Sequence, residues 1–332
     1  ASLGERIAHP DGASLLDPGA VAMVERVWGI TPERMTTPDG VGIAYLLIPP
    51  ADRGFSYDIT RKDGWNSATF KSSHDPEAVP IRGSIVYLHG RGMDATSMLP
   101  WALALSESGY RGVAMDLRNH GNSDKAPAGF GVREAKDLVA LVQDLQARGE
   151  LPPPVYLFGV SLGASTALFA EPDLRDSIAG IVGMEPYANA ADAIRGVVPG
   201  MLGEEVHGLS NRLAQGWARL RFGPEDIEPG IIEAGRILGM DLARVDLHAT
   251  VARSQACSLL LHGAEDGWVD PEGSRELAGL STEIRFREVP GEGHLSLPLR
   301  IDWLVSPIIR WLGQAGTGHC VPFALPADPL TG

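Results

Sequence analysis

The chain has 332 residues, of which 44% are hydrophobic and 21% charged, a composition typical of a globular protein with a sizeable core. Its formal net charge of −14 argues against binding nucleic acid or anionic lipid through a general electrostatic field. The sequence contains no apolar run near the roughly 20 residues that a membrane-spanning helix needs. A small-molecule partner is compatible with all three observations.

Only two cysteines occur, Cys257 before an apolar run and Cys320 in a Pro-rich tail, and neither has the CxxC spacing of a metal site. The sequence favours a buried thiol for Cys257 and leaves open a disulfide that would pin the tail to the sheet. The chain begins at Ala1 and shows no signal peptide. Both a bacterial cytoplasmic location and export with removal of a signal therefore stay open.

The first 80 residues differ in pattern from the rest of the chain. Helical periodicity covers 20–28, an apolar run covers 41–48, and Lys-Asp-Gly at 62–64 is typical of a hairpin turn. We interpret residues 1–80 as an N-terminal extension that ends in antiparallel edge strands.

From residue 81, short apolar runs alternate with helical patterns, which predicts an α/β fold with a mainly parallel sheet and helices on both faces. The predicted strands are 84–88, 112–115, 155–158, 178–184, 258–261 and 284–289. The predicted helices are 97–108, 131–148, 161–170, 271–280 and a closing helix at 303–312.

Residues 188–252 interrupt this alternation, because they contain amphipathic segments and no convincing strand. We interpret this stretch as a helical cap inserted between two strands. Its apolar residues Met201 and Trp217 are expected to line a substrate pocket. The core would then consist of residues 81–187 and 253–313, followed by a C-terminal tail at 314–332.

The strongest chemical motif is Gly-Val-Ser-Leu-Gly at 159–163, between a predicted strand and a predicted helix. The two glycines permit a strained strand-to-helix turn, a nucleophile elbow, that would expose the Ser161 hydroxyl at a helix N-terminus. There the helix dipole favours developing negative charge. We predict Ser161 as a nucleophile; the alternative is a structural glycine-rich turn.

A second motif, His-Gly-Arg-Gly at 89–92, follows the first predicted core strand. The backbone N–H groups of Arg91 and Leu162 are predicted to form an oxyanion hole. We expect His89 to be structural and to hold this turn by hydrogen bonds. The turn-rich segment 116–123 lies at the same edge, and His120 within it is not expected to be catalytic.

Two later strands are followed by residues that could complete a catalytic triad. Asp266 follows the strand at 258–261 and is the predicted acid, with Glu265 and Asp270 as alternatives; Asp266 could also merely cap the next helix. His294 lies in a glycine-rich loop and is the predicted base. The chain order serine, aspartate, histidine is that of α/β-hydrolases.

Together these motifs resemble the α/β-hydrolase superfamily, and within it the bacterial esterase-like hydrolases near the serine aminopeptidase and monoglyceride-lipase branch. The resemblance covers about residues 81–313 and rests on 89–90, 116–121, 131–138, 159–164, Asp266 and His294. Asn119 departs from the pattern, because the family usually has glycine there.

The resemblance implies a serine hydrolase that cleaves an ester, thioester or amide through an acyl-enzyme, with no metal or organic cofactor. A carboxylic ester is the first choice, since an alcohol is a better leaving group than an amine. An aminopeptidase or amidase is the first alternative, with Glu204, Glu205 or Glu233 holding a substrate ammonium group. An acyltransferase and a non-catalytic scaffold are the others.

Overall fold

A computed structural model describes residues 1–10, 12, 14, 16–62, 65–203 and 209–331, with the backbone alone for 209–211. The strands β1 to β12 are Thr31–Thr36, Gly42–Ile48, Ala51–Asp52, Ser56–Lys62, Trp65–Lys71, Glu77–Ala78, Gly83–Leu88, Tyr110–Met115, Val155–Val160, Gly180–Met184, Ser258–Gly263 and Ile284–Val289. The helices α1 to α11 are Leu3–Ala8, Pro18–Trp28, Leu99–Ser106, Val132–Ala147, Leu162–Leu174, Ala190–Gly203, Leu209–Arg221, Ile227–Leu238, His248–Val251, Pro271–Gly279 and Ile301–Gly316.

Eight strands form one sheet in the spatial order β1-β2-β8-β7-β9-β10-β11-β12. The pairs β1–β2 and β2–β8 are antiparallel, and every neighbouring pair from β8 to β12 is parallel. Strands β7, β9 and β11 are buried along their whole length, as is typical of a parallel sheet with both faces covered. The mainly parallel α/β sheet predicted from the sequence is confirmed.

The helices bury apolar side chains on opposite faces of this sheet. On one face, Leu138 of α4 and Leu168 of α5 belong to a core cluster that continues beneath the helices after β10. On the other face, Trp101 of α3 and Leu304 of α11 belong to a second cluster. Because side chains alternate along each strand, the same strands contribute to both clusters.

One strand was missed at the edge of the sheet. The sequence pattern shows no strand between the helical periodicity at 20–28 and the apolar run at 41–48, whereas Thr31–Thr36 pairs with β2 over its full length. Pro32 obscures the strand signal. Proline is compatible with this position because β1 is an edge strand and needs hydrogen-bond partners on one side only.

The predicted hairpin near residue 62 corresponds to the separate two-stranded sheet of β4 and β5, with Lys62 opposite Trp65. Residues 63–64 of its turn lie outside the described residues. The hairpin contacts α11, and β5 also contacts the turn Leu297–Leu299 just before that helix.

The two cysteines are paired. A disulfide joins Cys257, next to the start of β11, to Cys320 in the tail, with 5.5 Å between their Cα atoms. The free buried thiol that the sequence favoured for Cys257 is therefore wrong. The prediction failed because the disulfide joins segments 63 residues apart, and no local sequence pattern reveals such a contact.

The segment between β10 and β11 contains α6, α7, α8 and α9, and its described residues form no strand beyond an isolated bridge between Asn189 and Asp246. Helix α8 packs against both α1 and α6. Glu204 and Glu205 lie outside the described residues. Within the described part of the chain, no helix is both long and apolar enough to cross a membrane.

Candidate active site

The turn from β9 to α5 holds Ser161 in a left-handed backbone conformation, with φ 52° and ψ −113°. Few residues other than glycine adopt positive φ, so the packing around the turn must hold Ser161 in this conformation. A Cβ at Gly159 would lie 2.3 Å from the Gly163 carbonyl oxygen, and one at Gly163 would lie 2.1 Å from the Leu88 carbonyl oxygen. Both positions therefore require glycine.

The structure brings together the three residues predicted as a triad. His294 Nε2 lies 3.0 Å from Ser161 Oγ, and His294 Nδ1 lies 2.7 Å from Asp266 Oδ2. The three residues follow β9, β12 and β11, whose carboxyl ends meet at one edge of the sheet. This arrangement can move a proton from the serine hydroxyl to the imidazole while the carboxylate holds the ring.

The Asp266 carboxylate is surrounded by hydrogen-bond donors. Its Oδ1 accepts from the backbone N–H groups of Trp268 and Val269, and its Oδ2 accepts from His262 Nε2 at 3.1 Å. Burial alone would raise the pKa of Asp266, but the bonds from His262 and His294 outweigh it and lower that pKa. Asp266 is therefore ionised at neutral pH.

A second carboxylate, Glu185, approaches the same imidazole. It follows β10 directly, has φ 57°, is fully buried, and places Oε2 3.5 Å from His294 Nδ1. Neither of its oxygens has a hydrogen-bond partner among the described residues. Burial, together with the charges of Asp266 and Glu292, raises the pKa of Glu185 well above its usual value, so its neutral form is favoured.

Glu185 was not among the predicted site residues, although a signal for it exists. The reasoning that selected Asp266, a carboxylate just past a core strand, applies equally to Glu185 after the strand predicted at 178–184. Together with Asp266 and His294 it forms a group whose ligand atoms lie within 4.8 Å of one another. The direct 2.7 Å bond between His294 and Asp266 occupies the facing atoms, so hydrogen bonding rather than a metal accounts for the group.

Trp268 covers the imidazole of His294. The two rings are stacked with centroids 5.3 Å apart and an interplanar angle of 23°. Helix α6 comes close to Trp268 through two glycines one turn apart: a Cβ at Gly196 would lie 2.3 Å from the Trp268 carbonyl oxygen, and one at Gly200 would lie 2.7 Å from its ring. Stacking favours the protonated imidazole that forms during proton transfer.

The loop that carries His294 is anchored through Glu292, whose side chain is fully buried. Its carboxylate pairs with Arg61 of the β4–β5 hairpin and with Arg300, which lies at 2.5 Å. Arg300 is also fully buried and pairs with Asp302 and with Asp328 of the C-terminal tail. Such a fully paired network fixes the loop, because breaking it would leave a buried charge without a partner.

The predicted oxyanion hole lies beside the serine. A Cβ at Gly90 would lie 3.7 Å from Ser161 Cβ, which places the loop after β7 against the nucleophile. Leu162 is the first residue of α5, where a helix leaves its N–H groups without internal acceptors. No described backbone carbonyl accepts from the Arg91 N–H. Both groups are available to an oxyanion, and that role stays a prediction.

His89 holds the neighbouring loops together, as the sequence suggested. Its Nδ1 donates to the Gly90 carbonyl at 2.7 Å and its Nε2 accepts from the Leu117 N–H at 3.0 Å. Burial, with the nearby His120, lowers the pKa of His89 to about 3, so it stays neutral. Asn119 has φ 71°, which explains why the family usually has glycine there, and asparagine tolerates this conformation.

A cavity of about 520 Å³ opens above the serine. Ser161, His294 and Trp268 lie in its wall, together with residues from α1, α6 and α7. Met201 is part of this wall, whereas Trp217 is not; the guanidinium carbons of Arg6 and Arg221 lie 5.8 and 5.9 Å from the Trp217 ring centroid. From α7 the cavity is lined by Ala218, with Phe222 just beyond that helix.

Comparison with known proteins agrees with this fold. The chain belongs to the alpha/beta hydrolase family, whose model matches residues 85–305. The superfamily membership inferred from the sequence motifs is confirmed.

The individual relatives share limited sequence identity with this chain. Protein phosphatase methylesterase 1 from Homo sapiens is 28% identical over 224 residues, 66% of this chain and 51% of that protein. Lysophosphatidylserine lipase ABHD12 from Danio rerio is 34% identical over 134 residues, 39% of this chain and 31% of that protein. The chain thus spans about half, or less, of the length of these relatives.

Solved structures share the fold at low identity. An esterase from Pyrococcus furiosus has a TM-score of 0.59 at 17% identity, covering 92% of this chain and 97% of that one. The esterase Est1E from Butyrivibrio proteoclasticus, solved with ferulic acid bound, has a TM-score of 0.57 at 18% identity and covers 86% and 99% of the two chains.

Replacement of Gly163 by alanine tests the packing beneath the elbow. We expect Gly163→Ala to lower the melting temperature markedly or to prevent folding, because the new Cβ would meet the Leu88 carbonyl. Gly313→Ala is the control: it lies in helix α11 with open space around it, so stability should be unchanged or rise by up to about 1 kcal/mol. Equal melting temperatures for the two variants would contradict this packing.

The roles of the two carboxylates can be separated by isosteric amides. Asp266→Asn should lower kcat by about 10³- to 10⁴-fold, because the amide cannot stabilise the imidazolium. Glu185→Gln should change kcat by only a few-fold at pH 7, because an amide resembles the neutral acid that burial favours. The measurement is ester turnover by both folded variants. A larger loss for Glu185→Gln would make Glu185 the acid that orients His294.

Proposed function

We propose that this chain is a serine esterase that cleaves carboxylic esters through an acyl-enzyme. The observation that carries the proposal is the continuous line from Ser161 through His294 to Asp266, with distances of 3.0 and 2.7 Å, in which Ser161 and His294 lie in the wall of the cavity. The relatives described above are named a methylesterase and a lipase, both of which are names for ester hydrolases.

In the proposed mechanism, His294 Nε2 accepts the Ser161 proton as Oγ attacks the ester carbonyl carbon. The Arg91 and Leu162 N–H groups bind the oxyanion of the tetrahedral intermediate. His294 then gives its proton to the departing alkoxide, which leaves as an alcohol. Water, deprotonated by His294, attacks the acyl-enzyme in the same way and releases the acid. Asp266 stays ionised throughout and stabilises the imidazolium.

An ester is favoured over an aminoacyl amide because the described acidic residues around the cavity are poorly placed to bind a substrate ammonium group. Glu233 lies against Gly4 of α1, where a Cβ would meet its carboxylate, and it is not in the cavity wall. Glu134 is in the wall, but both of its oxygens already accept backbone bonds from Gly129 and Gly131. Of these two described carboxylates, Glu233 is outside the wall and Glu134 is held by backbone donors, which gives an ammonium group no dedicated partner among them.

The nucleophile is tested by Ser161→Ala with Ser97→Ala as the control. Both serines lie in the cavity wall, but the Ser97 hydroxyl donates to the Asp94 carbonyl rather than to a base. We expect Ser161→Ala to lose p-nitrophenyl butanoate hydrolysis by about 10⁴-fold or more, and to lose labelling by a fluorophosphonate. Ser97→Ala should keep both. Hydrolysis and labelling that survive in folded Ser161→Ala would exclude the proposed mechanism.

The acyl pocket is tested by a pair of variants on neighbouring helices. Met201→Trp should lower kcat/KM for long p-nitrophenyl esters relative to short ones, because Met201 lines the cavity and each methylene excluded is worth roughly 1–3 kcal/mol. Trp217→Ala is the control, since Trp217 lies outside the wall, and should leave the profile from acetate to decanoate unchanged. A shift in Trp217→Ala alone would place the acyl group outside this cavity.

A further inference from the structure

Two arginines, Arg6 and Arg91, are among the residues that line the cavity of Ser161, and Arg91 follows Gly90 in the loop beside the nucleophile. Most of the cavity wall is apolar, and it includes Phe130, Ile194, Val198 and Leu202. A cation in a mostly apolar wall is placed to meet a polar group of a bound substrate. Arg91 is exposed, and the protein around it lowers its pKa by desolvation, although guanidinium stays protonated near neutral pH.

The partners of Arg91 leave much of its hydrogen-bonding capacity unused. Only Nη2 donates to protein acceptors, the carbonyl oxygens of Arg6 and Ile7 at 3.1 and 2.7 Å. The Nε and Nη1 atoms, which together carry three N–H groups, donate to no described residue. The ring of Phe130 lies 5.2 Å from the guanidinium carbon and helps to hold its orientation.

No carboxylate neutralises this cation within ion-pair distance among the described residues. Glu134, which also lines the cavity, exerts an attractive charge on Arg91, but its two oxygens are bound to the Gly129 and Gly131 N–H groups. Bonding to the last carbonyls of α1 explains Nη2 as a helix cap. A neutral donor could bind the same carbonyl oxygens, so this cap does not explain why the residue carries a charge.

We propose that Arg91 binds a carboxylate carried by the substrate, so that the substrates are esters with a free carboxylate on their acyl or alcohol part. The Nη1 atom, with two free N–H groups, can donate to a carboxylate oxygen, and the guanidinium charge attracts the anion. The proposal rests on the proposed esterase function, because it assigns a substrate class to the same cavity.

Matched ester pairs test this proposal and distinguish the two sources of the carboxylate. In the acyl arm, the mono-p-nitrophenyl ester of glutaric acid is compared with p-nitrophenyl pentanoate. In the alcohol arm, the butanoate of 4-hydroxybenzoic acid is compared with that of methyl 4-hydroxybenzoate. We expect the wild-type protein to favour the carboxylate member by about tenfold or more in kcat/KM in one arm, and high salt to reduce this preference.

Variants assign the preference to one side chain. Arg91→Gln should lose the preference, and Arg91→Lys should keep part of it, because a lysine retains the charge but not the planar guanidinium. Arg6→Gln is the control, since Arg6 lines the same cavity but its guanidinium lies over the rings of Trp217 and Phe222. It should keep the preference. Loss of the preference in Arg6→Gln but not in Arg91→Gln would overturn the assignment.

Two results separate this inference from the esterase proposal. Hydrolysis of the neutral esters with no preference in either arm would overturn the role of Arg91 and leave the esterase proposal intact. Binding to Ser161→Ala, measured by calorimetry with monomethyl glutarate and methyl pentanoate, gives a reading that needs no turnover. Tighter binding of the glutarate that Arg91→Gln abolishes would support the inference even if every ester tested were a poor substrate; equal binding would overturn it.

Discussion

The close approach of helix α5 to strand β7 is the constraint on which the site depends. A Cβ at Gly163 would lie 2.1 Å from the Leu88 carbonyl oxygen, so the helix can start at this height above the sheet only with glycine there. This contact forces the chain through the left-handed conformation of Ser161. The hydroxyl then lies level with the loops after β11 and β12, within reach of His294. The strain at Ser161 is thus the consequence of packing elsewhere.

Two carboxylates cannot both be ionised beside one imidazole, and the surrounding donors determine which of them carries the charge. Asp266 accepts from four donors: two backbone N–H groups and two histidines. Glu185 lies almost as close to His294 but has no donor among the described residues. Burial therefore raises the pKa of one acid, while hydrogen bonds lower that of the other. Asp266 and Glu185 are both carboxylic acids, but their different hydrogen-bond partners favour different protonation states.

The parts of this site that sequence could predict are those with local signals. Glycine spacing marks the elbow at Ser161, and strand ends mark Asp266 and His294, because parallel strands bring these ends to one edge. Contacts between distant segments have no such signal. Trp268, which stacks on His294, lies in the loop after β11 and is approached by the distant helix α6. Amphipathic spacing likewise does not show that Trp217 lies outside the cavity wall. Pro32 also hides β1 from a reading of the sequence. Proline is tolerated there because β1 is an edge strand, and the strand order is not visible in the sequence.

The segments outside the family match at 85–305 also contribute residues to the site, and the sequence motifs do not reveal these contributions. The hairpin supplies Arg61 and the tail supplies Asp328 to the network that fixes the loop of His294. Helix α1 supplies the carbonyls that orient Arg91 and part of the cavity wall. The triad and most of the cavity wall therefore come from the matched residues, whereas the N-terminal segment completes the wall and the hairpin and tail fix the loop of His294. A net charge of −14 adds a further condition, since it repels anions at long range, so an anionic substrate would depend on a local cation in the cavity.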